Sequence, residues 1–214
     1  MMSINKYFIL LCMAIFNITT FAGNEVGNGG GVLVNKTTSR AEFFFDVYET
    51  QDHYGFDIQW PDQDRYKNDV QMAKAFVSRL REYDKKLERQ LKNFADDFYK
   101  ESSFISNSHL FIFDTGMGIE IPSNYELKQL IIQYTFDNGQ TKYVIDQKYW
   151  SELSASQRAV AILHEVVYRR ALIVNPRLFS SVKVRQFVAF LISDEITLFS
   201  KESYKKMLRA LELN

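Results

Sequence analysis

Between Ser154 and Leu172 the chain reads SASQRAVAILHEVVYRRAL, and no other stretch constrains the fold as strongly. Ala159, Val160, Ala161, Ile162, Leu163, Val166 and Val167 leave almost no polar face, which predicts a helix buried on every side. Ser154 followed by Gln157 reads as a capping box: the hydroxyl accepts from a first-turn N–H and the Gln side chain reaches back. Polar groups inside such a helix are costly unless paired, so His164 and Glu165 need partners. Tyr168 falls one turn after His164. Arg169 falls one turn after Glu165, in the favourable acid-before-base order.

HEVVY follows the zinc-peptidase pattern HExxH up to its last position. In that pattern two His one turn apart hold zinc and the Glu is the general base. Here the second ligand position is Tyr168, a poor zinc ligand at neutral pH because a phenol titrates near ~10. A structural role for His164 and Glu165 is therefore preferred to a metal site.

At 214 residues the chain is expected to form one domain with a full core. Its formal net charge is +0, which argues against electrostatic capture of nucleic acid. Phe 18 and Tyr 12 point to a packed globular chain.

The first 22 residues read as a signal peptide: Lys6, an apolar run from Tyr7 to Ile18, then Thr20-Phe21-Ala22 with small residues at −3 and −1. The apolar run is shorter than the ~20 residues of a membrane span, so cleavage after Ala22 is expected rather than an anchor. Cys12, the single cysteine, lies inside this segment and is not expected to carry a lipid. The mature chain, residues 23–214, then has no disulfide, thiol nucleophile or cysteine ligand. A periplasmic or secreted protein, not integral to a membrane, is expected.

Gly27 to Gly31 fits neither a phosphate loop nor a dinucleotide fingerprint, and is expected to be a loop leading into a strand at 32–34. Arg40 to Thr50 carries an apolar stripe with helical spacing. From Glu42 to Asp69 only Arg65 and Lys67 oppose the acidic residues, which predicts a solvated acidic loop around Trp60-Pro61. Asp62 and Asp64 do not start a calcium loop, because Tyr66, Lys67 and Ala73 occupy its required positions.

Asp69 to Lys100 predicts one helix of roughly 45–50 Å. Its seam runs through Val70, Ala73, Val77, Leu80, Leu87, Leu91, Phe94 and Phe98, with Asp84 as the polar interruption. The seam could pair with a second chain. Because it ends in aromatics, it is expected to lie across its own domain and the protein to be a monomer.

A short strand is expected at Leu110–Phe113, then a turn at Asp114–Gly118. A hairpin is expected from 130–136 and 141–145 around Asp137-Asn138-Gly139-Gln140, whose Asn-Gly pair suits positive φ. Asn175-Pro176 ends the central helix. Ser180 or Ser181 opens the next helix and Ser200 the last.

Four pieces in this order, GNGGG, IDQKYWSEL, SQRAVAILHEVVYR and SSVKVRQF, resemble a group of exported proteins of unknown activity in predatory bacteria. The resemblance implies a scaffold of zinc-peptidase ancestry whose activity Tyr168 puts in doubt, and it makes Ser181 and Arg185 positions of interest. The expected fold is α+β: mostly helical, one domain, with a small antiparallel sheet and a buried central helix. The expected function is a non-catalytic exported protein without a cofactor. One alternative is a zinc-dependent hydrolase, with His164 as ligand, Glu165 as base and further ligands from His53, His109, Asp194 or Glu195. The other is a helical interaction module using residues 70–98. In the non-catalytic case a buried cluster of His164, Glu165, Tyr168, Arg169, Ser181 and Arg185 is expected, with the Arg185 guanidinium on the Glu165 carboxylate.

Overall fold

A computed structural model describes residues 24–26, 30–106, 110, 120–136, 139–176, 178 and 180–213. The expected signal peptide, His109, most of Leu110–Phe113, the 114–118 turn and the turn pair Asp137-Asn138 lie outside these residues. Gly27–Gly29 do too.

Among the described residues, seven helices and seven strands form a single α+β domain that is 52% helical. Strand β2 (Gly31–Asn35) lies between β3 (Ala41–Phe44) and β5 (Tyr125–Gln129), antiparallel to both. A second sheet has the order β1 (Asn24–Val26), β6 (Ile131–Thr135), β7 (Thr141–Asp146), β4 (Ser102–Ile105), with β4 parallel to β7. The sheets meet at Gly30, whose carbonyl accepts from the N–H groups of Leu130 and Ile131.

The expected hairpin is β6–β7, with Thr135 opposite Thr141 and Gly139 at φ 78°. Its less apolar face is the deeper one: Ile131, Gln133, Tyr143 and Ile145 are all 0% exposed. Gln133 has neither a donor nor an acceptor partner for its amide.

The long helix expected over 69–100 is broken. Helix α2 (Asp69–Val77) passes through a 3-10 turn at Ser78–Glu82, and α3 (Lys85–Asp97) starts afresh. The cause is Asp84, the polar residue of the seam. At φ −149°, ψ 89° it leaves the helix and its carboxylate accepts from the N–H groups of Lys86 and Leu87. An N-cap that takes two orphan donors compensates for the break. Val77, Leu80, Leu87 and Leu91 are buried in the chain's own core, so no continuous seam remains for a coiled-coil partner.

Arg40–Thr50 also differs from the helical expectation. Ala41–Phe44 is strand β3; only then does α1 (Phe45–Tyr48) begin, running into a π-helical turn at Glu49–His53. Paired apolar residues at Phe44 and Phe45 satisfy both a period of two and a period of 3.6, and pairing with β2 decides between them.

After α4 (Gln147–Glu152), helix α5 (Ala155–Val174) is the centre of the molecule. It packs on α1, α2, α3, β3 and α6 (Val182–Ile192), and α7 (Lys201–Ala210) closes the chain. Val160, Ile162, Leu163 and Val166 are 0% exposed. Each such side chain contributes about 1.5–3 kcal/mol by leaving water. Ser154 caps α5 through the Gln157 N–H. The reciprocal half of the box is absent: the Gln157 side chain accepts from Phe44 N–H and donates to the Glu42 carbonyl, holding β3 against the helix. None of the described helices is long and apolar enough to cross a membrane.

Candidate functional site

Asp46 and Glu49 stand three residues apart where α1 enters the π-helical turn, so both carboxylates leave on one side. That side faces α5 and α6. Asp46 is 1% and Glu49 1% exposed. Nothing in the expectation for residues 42–69 set these two acids apart from the others. The signal that could have separated them was local: they are two acids inside the aromatic run Phe43-Phe44-Phe45-Asp46-Val47-Tyr48-Glu49.

His164 and Glu165, both 0% exposed, point about 100° apart around the α5 axis and take different partners. His164 Nδ1 lies 2.8 Å from Asp46 Oδ2, and its ring meets Phe44 edge-on at 6.0 Å and Tyr168 at 6.2 Å. Glu165 Oε1 accepts from the Gly30 N–H at 2.8 Å. Arg185 donates from Nε to Glu49 Oε2 at 2.7 Å and from a terminal nitrogen to Ser181 Oγ at 2.8 Å. Its guanidinium also sits 5.3 Å from the Phe45 ring centroid.

The expected polar cluster is therefore rearranged. His164, Glu165, Ser181 and Arg185 are all buried, but the described ion pair of Arg185 is with Glu49. Arg169 does not turn back along α5 to Glu165. It binds Glu101 Oε2 at 2.7 Å and lies 4.2 Å from the Phe94 ring centroid. A neighbour on the same helix reaches a carboxylate only obliquely, whereas Glu101 and Phe94 offer a charge and a ring face together. Ser181 is the N-cap residue of α6 without capping it through its side chain, because its hydroxyl serves Arg185.

The electrostatics follow from composition. The cluster brings three carboxyls (Asp46, Glu49, Glu165) to two basic groups (His164, Arg185). Full ionisation would leave a net negative charge in the interior, and burial opposes that. Burial raises Glu165 to about 7, against the nearby His164 charge and the Gly30 hydrogen bond, which lower it. Burial likewise raises Glu49 to about 7, against the charge and hydrogen bond of Arg185. His164 is raised from its usual value: burial opposes its charge, but Asp46 outweighs that by both charge and hydrogen bond. Three atoms of the cluster are buried without a hydrogen-bond partner: Asp46 Oδ1, His164 Nε2 and Glu165 Oε2.

Gly30 belongs to the site. A Cβ there would fall 2.5 Å from two atoms of the Phe44 ring, itself 0% exposed, and 3.6 Å from Glu165 Oε1. The glycine lets the backbone come close enough to donate to Glu165. Gly30→Ala is expected to lower stability by about 1–3 kcal/mol through overpacking. Urea denaturation checks this; an unchanged midpoint would mean that Phe44 can move aside.

The described alternative metal ligands, His53, Asp194 and Glu195, do not gather on His164. His53 is exposed and stands against the Tyr54 ring, at 4.7 Å. Asp194 is exposed and Glu195 half-buried in the turn that follows α6. Among the described residues no group of three or more His, Cys, Asp or Glu side chains is placed to hold a metal ion. Asp62 forms a turn of its own, its Oδ1 accepting from the Asp64 N–H.

Comparison with protein-family models, with curated proteins and with solved structures finds no match to this chain.

Proposed function

We propose that this is an exported, non-catalytic protein, periplasmic or secreted, in which the His–Glu pair of a zinc-peptidase-like helix has become the internal lock of an α+β scaffold. The supporting observation is the complete burial of His164 and Glu165, each bound to a partner from a distant part of the chain, Asp46 and Gly30. A hydrolytic base has to reach a water and a substrate carbonyl. A carboxylate with 0% exposure that accepts a backbone N–H is engaged in holding Gly30, and with it the junction of the two sheets.

One feature favours the hydrolase alternative. Asp46 holds His164 Nδ1 and leaves Nε2 without a partner, the arrangement that orients a metal-binding imidazole. The two readings separate on one sample. Protein recovered from outside the cytosol and purified without chelator is expected to start at Gly23 and to carry far less than one zinc per chain. Stoichiometric zinc, lost in His164→Ala, would put the hydrolase first. An intact Met1 would remove export from the proposal.

A further inference from the structure

A cavity of about 190 Å³ opens where α3, α5, α7 and the C-terminal tail meet. Its apolar wall is Leu87, Leu208 and Leu213, all buried. Two cations line it, Arg170 from α5 and Lys86 from the first turn of α3. Among the described residues the single acid in its lining is Asp84, whose Oδ1 already takes the N–H groups of Lys86 and Leu87.

Arg170 is unlike the other arginines of the interior. Arg158 has Asp69, Arg169 has Glu101 and Arg185 has Glu49. Arg79 donates to the carbonyls of Leu191 and Ser193. Arg170 has no described hydrogen bond or ion pair, and its Nε is out of solvent without a partner. Leaving such a donor unsatisfied is costly, and the Arg170 guanidinium lines the cavity, where an acceptor can meet it. The planar guanidinium matches a carboxylate with two parallel bonds. The leucine wall asks for an aliphatic body beside that charge. The volume is below the ~300–1,000 Å³ of sites for drug-sized ligands, which restricts the body to a few carbons.

We propose that this cavity binds a short aliphatic carboxylate, with its charge on Arg170 and Lys86 and its branched tail on Leu87, Leu208 and Leu213. Inorganic phosphate is disfavoured, because it gains nothing from the leucines and, as a dianion, is repelled by Asp84 more strongly than a monoanionic carboxylate. The carboxylate could come from a simple acid or from an amino acid, whose ammonium would meet the Asp84 charge.

The test is a titration of the methyl-labelled mature protein with 4-methylpentanoate, L-leucine and phosphate in separate arms. Saturable shifts of the Leu87, Leu208 and Leu213 methyl resonances are expected with 4-methylpentanoate. Arg170→Met should weaken binding by roughly ten-fold or more. Lys86→Gln, on an exposed side chain, should weaken it less. If Arg170→Met does not fold, Arg170→Lys keeps the charge, loses the two-pronged geometry and should still bind more weakly. Tighter binding of L-leucine than of 4-methylpentanoate supports the site with an amino acid as its ligand; weaker binding supports it with a simple acid. No saturation by either compound overturns the proposal. So does a phosphate response equal to that of 4-methylpentanoate, or unchanged affinity in the Arg170 variants.

Discussion

Arg185→Ala is expected to destabilise the protein by about 3–5 kcal/mol at neutral pH, a large part of a typical domain's stability. Arg185 is 6% exposed and ties the start of α6 to the π-helical turn through Glu49, to the N-cap residue Ser181, and to the face of Phe45. Its removal leaves Glu49, 1% exposed, without its cation. Glu49 has an escape that Arg185 lacks: it can keep a proton, whereas a guanidinium cannot lose one. The two halves of the pair should therefore differ with pH. The cost of Arg185→Ala should shrink at pH 5, where Glu49 is protonated, and the cost of Glu49→Ala should not. At neutral pH the double variant should lose much less than the sum of the singles. Guanidinium denaturation of the four proteins at pH 5 and 7.5 measures all of this. Strictly additive losses at neutral pH, or a pH-independent cost for Arg185→Ala, would show that the pair does not hold the two elements together.

The second large effect is on pH dependence, whose sign is unusual. Ionised, paired carboxylates make most proteins more stable as pH rises from the acid range. Here Glu49 and Glu165 are raised from 4.5 to about 7. A carboxyl whose folded pKa exceeds its unfolded value holds its proton more tightly in the folded state. Its contribution is complete below the unfolded value and is lost as pH rises through the folded one. At about 1.4 kcal/mol per unit, one such carboxyl removes about 3 kcal/mol between pH 4.5 and 7. His164, raised from 6.5, works in the same direction above that value. The groups facing Glu165 account for its state: the Gly30 N–H, the His164 ring, and the Asp46 charge, which raises it further.

Stability measured by urea denaturation is thus expected to fall from pH 5 to 8. Glu165→Gln keeps the shape of the protonated acid, so it should be close to neutral at pH 5 and stabilising at pH 8. Glu165→Ala should destabilise throughout, because it leaves the Gly30 N–H unsatisfied. A profile that rises from pH 5 to 8, with Glu165→Gln destabilising at pH 8, would mean that the cluster is fully ionised despite its burial.

Local periodicity and chemistry made much of this protein legible. The cap at Ser154, the burial of α5, the β6–β7 hairpin and the breaks around Asn175 and Ser200 each depend on residues within about one turn of one another. Side-chain type alone announced that His164 and Glu165 would be buried polar groups in need of partners. Asp84 was legible too, in hindsight: an acid in an apolar seam is as much a cap as an interruption, and it ends one helix by starting another.

What the sequence could not decide was which partners those groups would take. Arg185 and Glu49 are 136 residues apart, His164 and Asp46 118, and Glu165 and Gly30 135. No spacing rule spans such distances, because helical and strand periods describe neighbours along one element. Glu165 and Arg169 looked like a pair on the helix surface, yet each found a better-placed group on another element. The amino-acid sequence by itself determined that α5 would be buried with two ionisable groups inside it. Only the placing of Gly30, α1 and α6 around that helix decided that a backbone N–H would hold the glutamate, an aspartate the histidine, and a different glutamate the arginine. Buried polar groups are satisfied by geometry across elements, and that geometry exists only once the chain has folded.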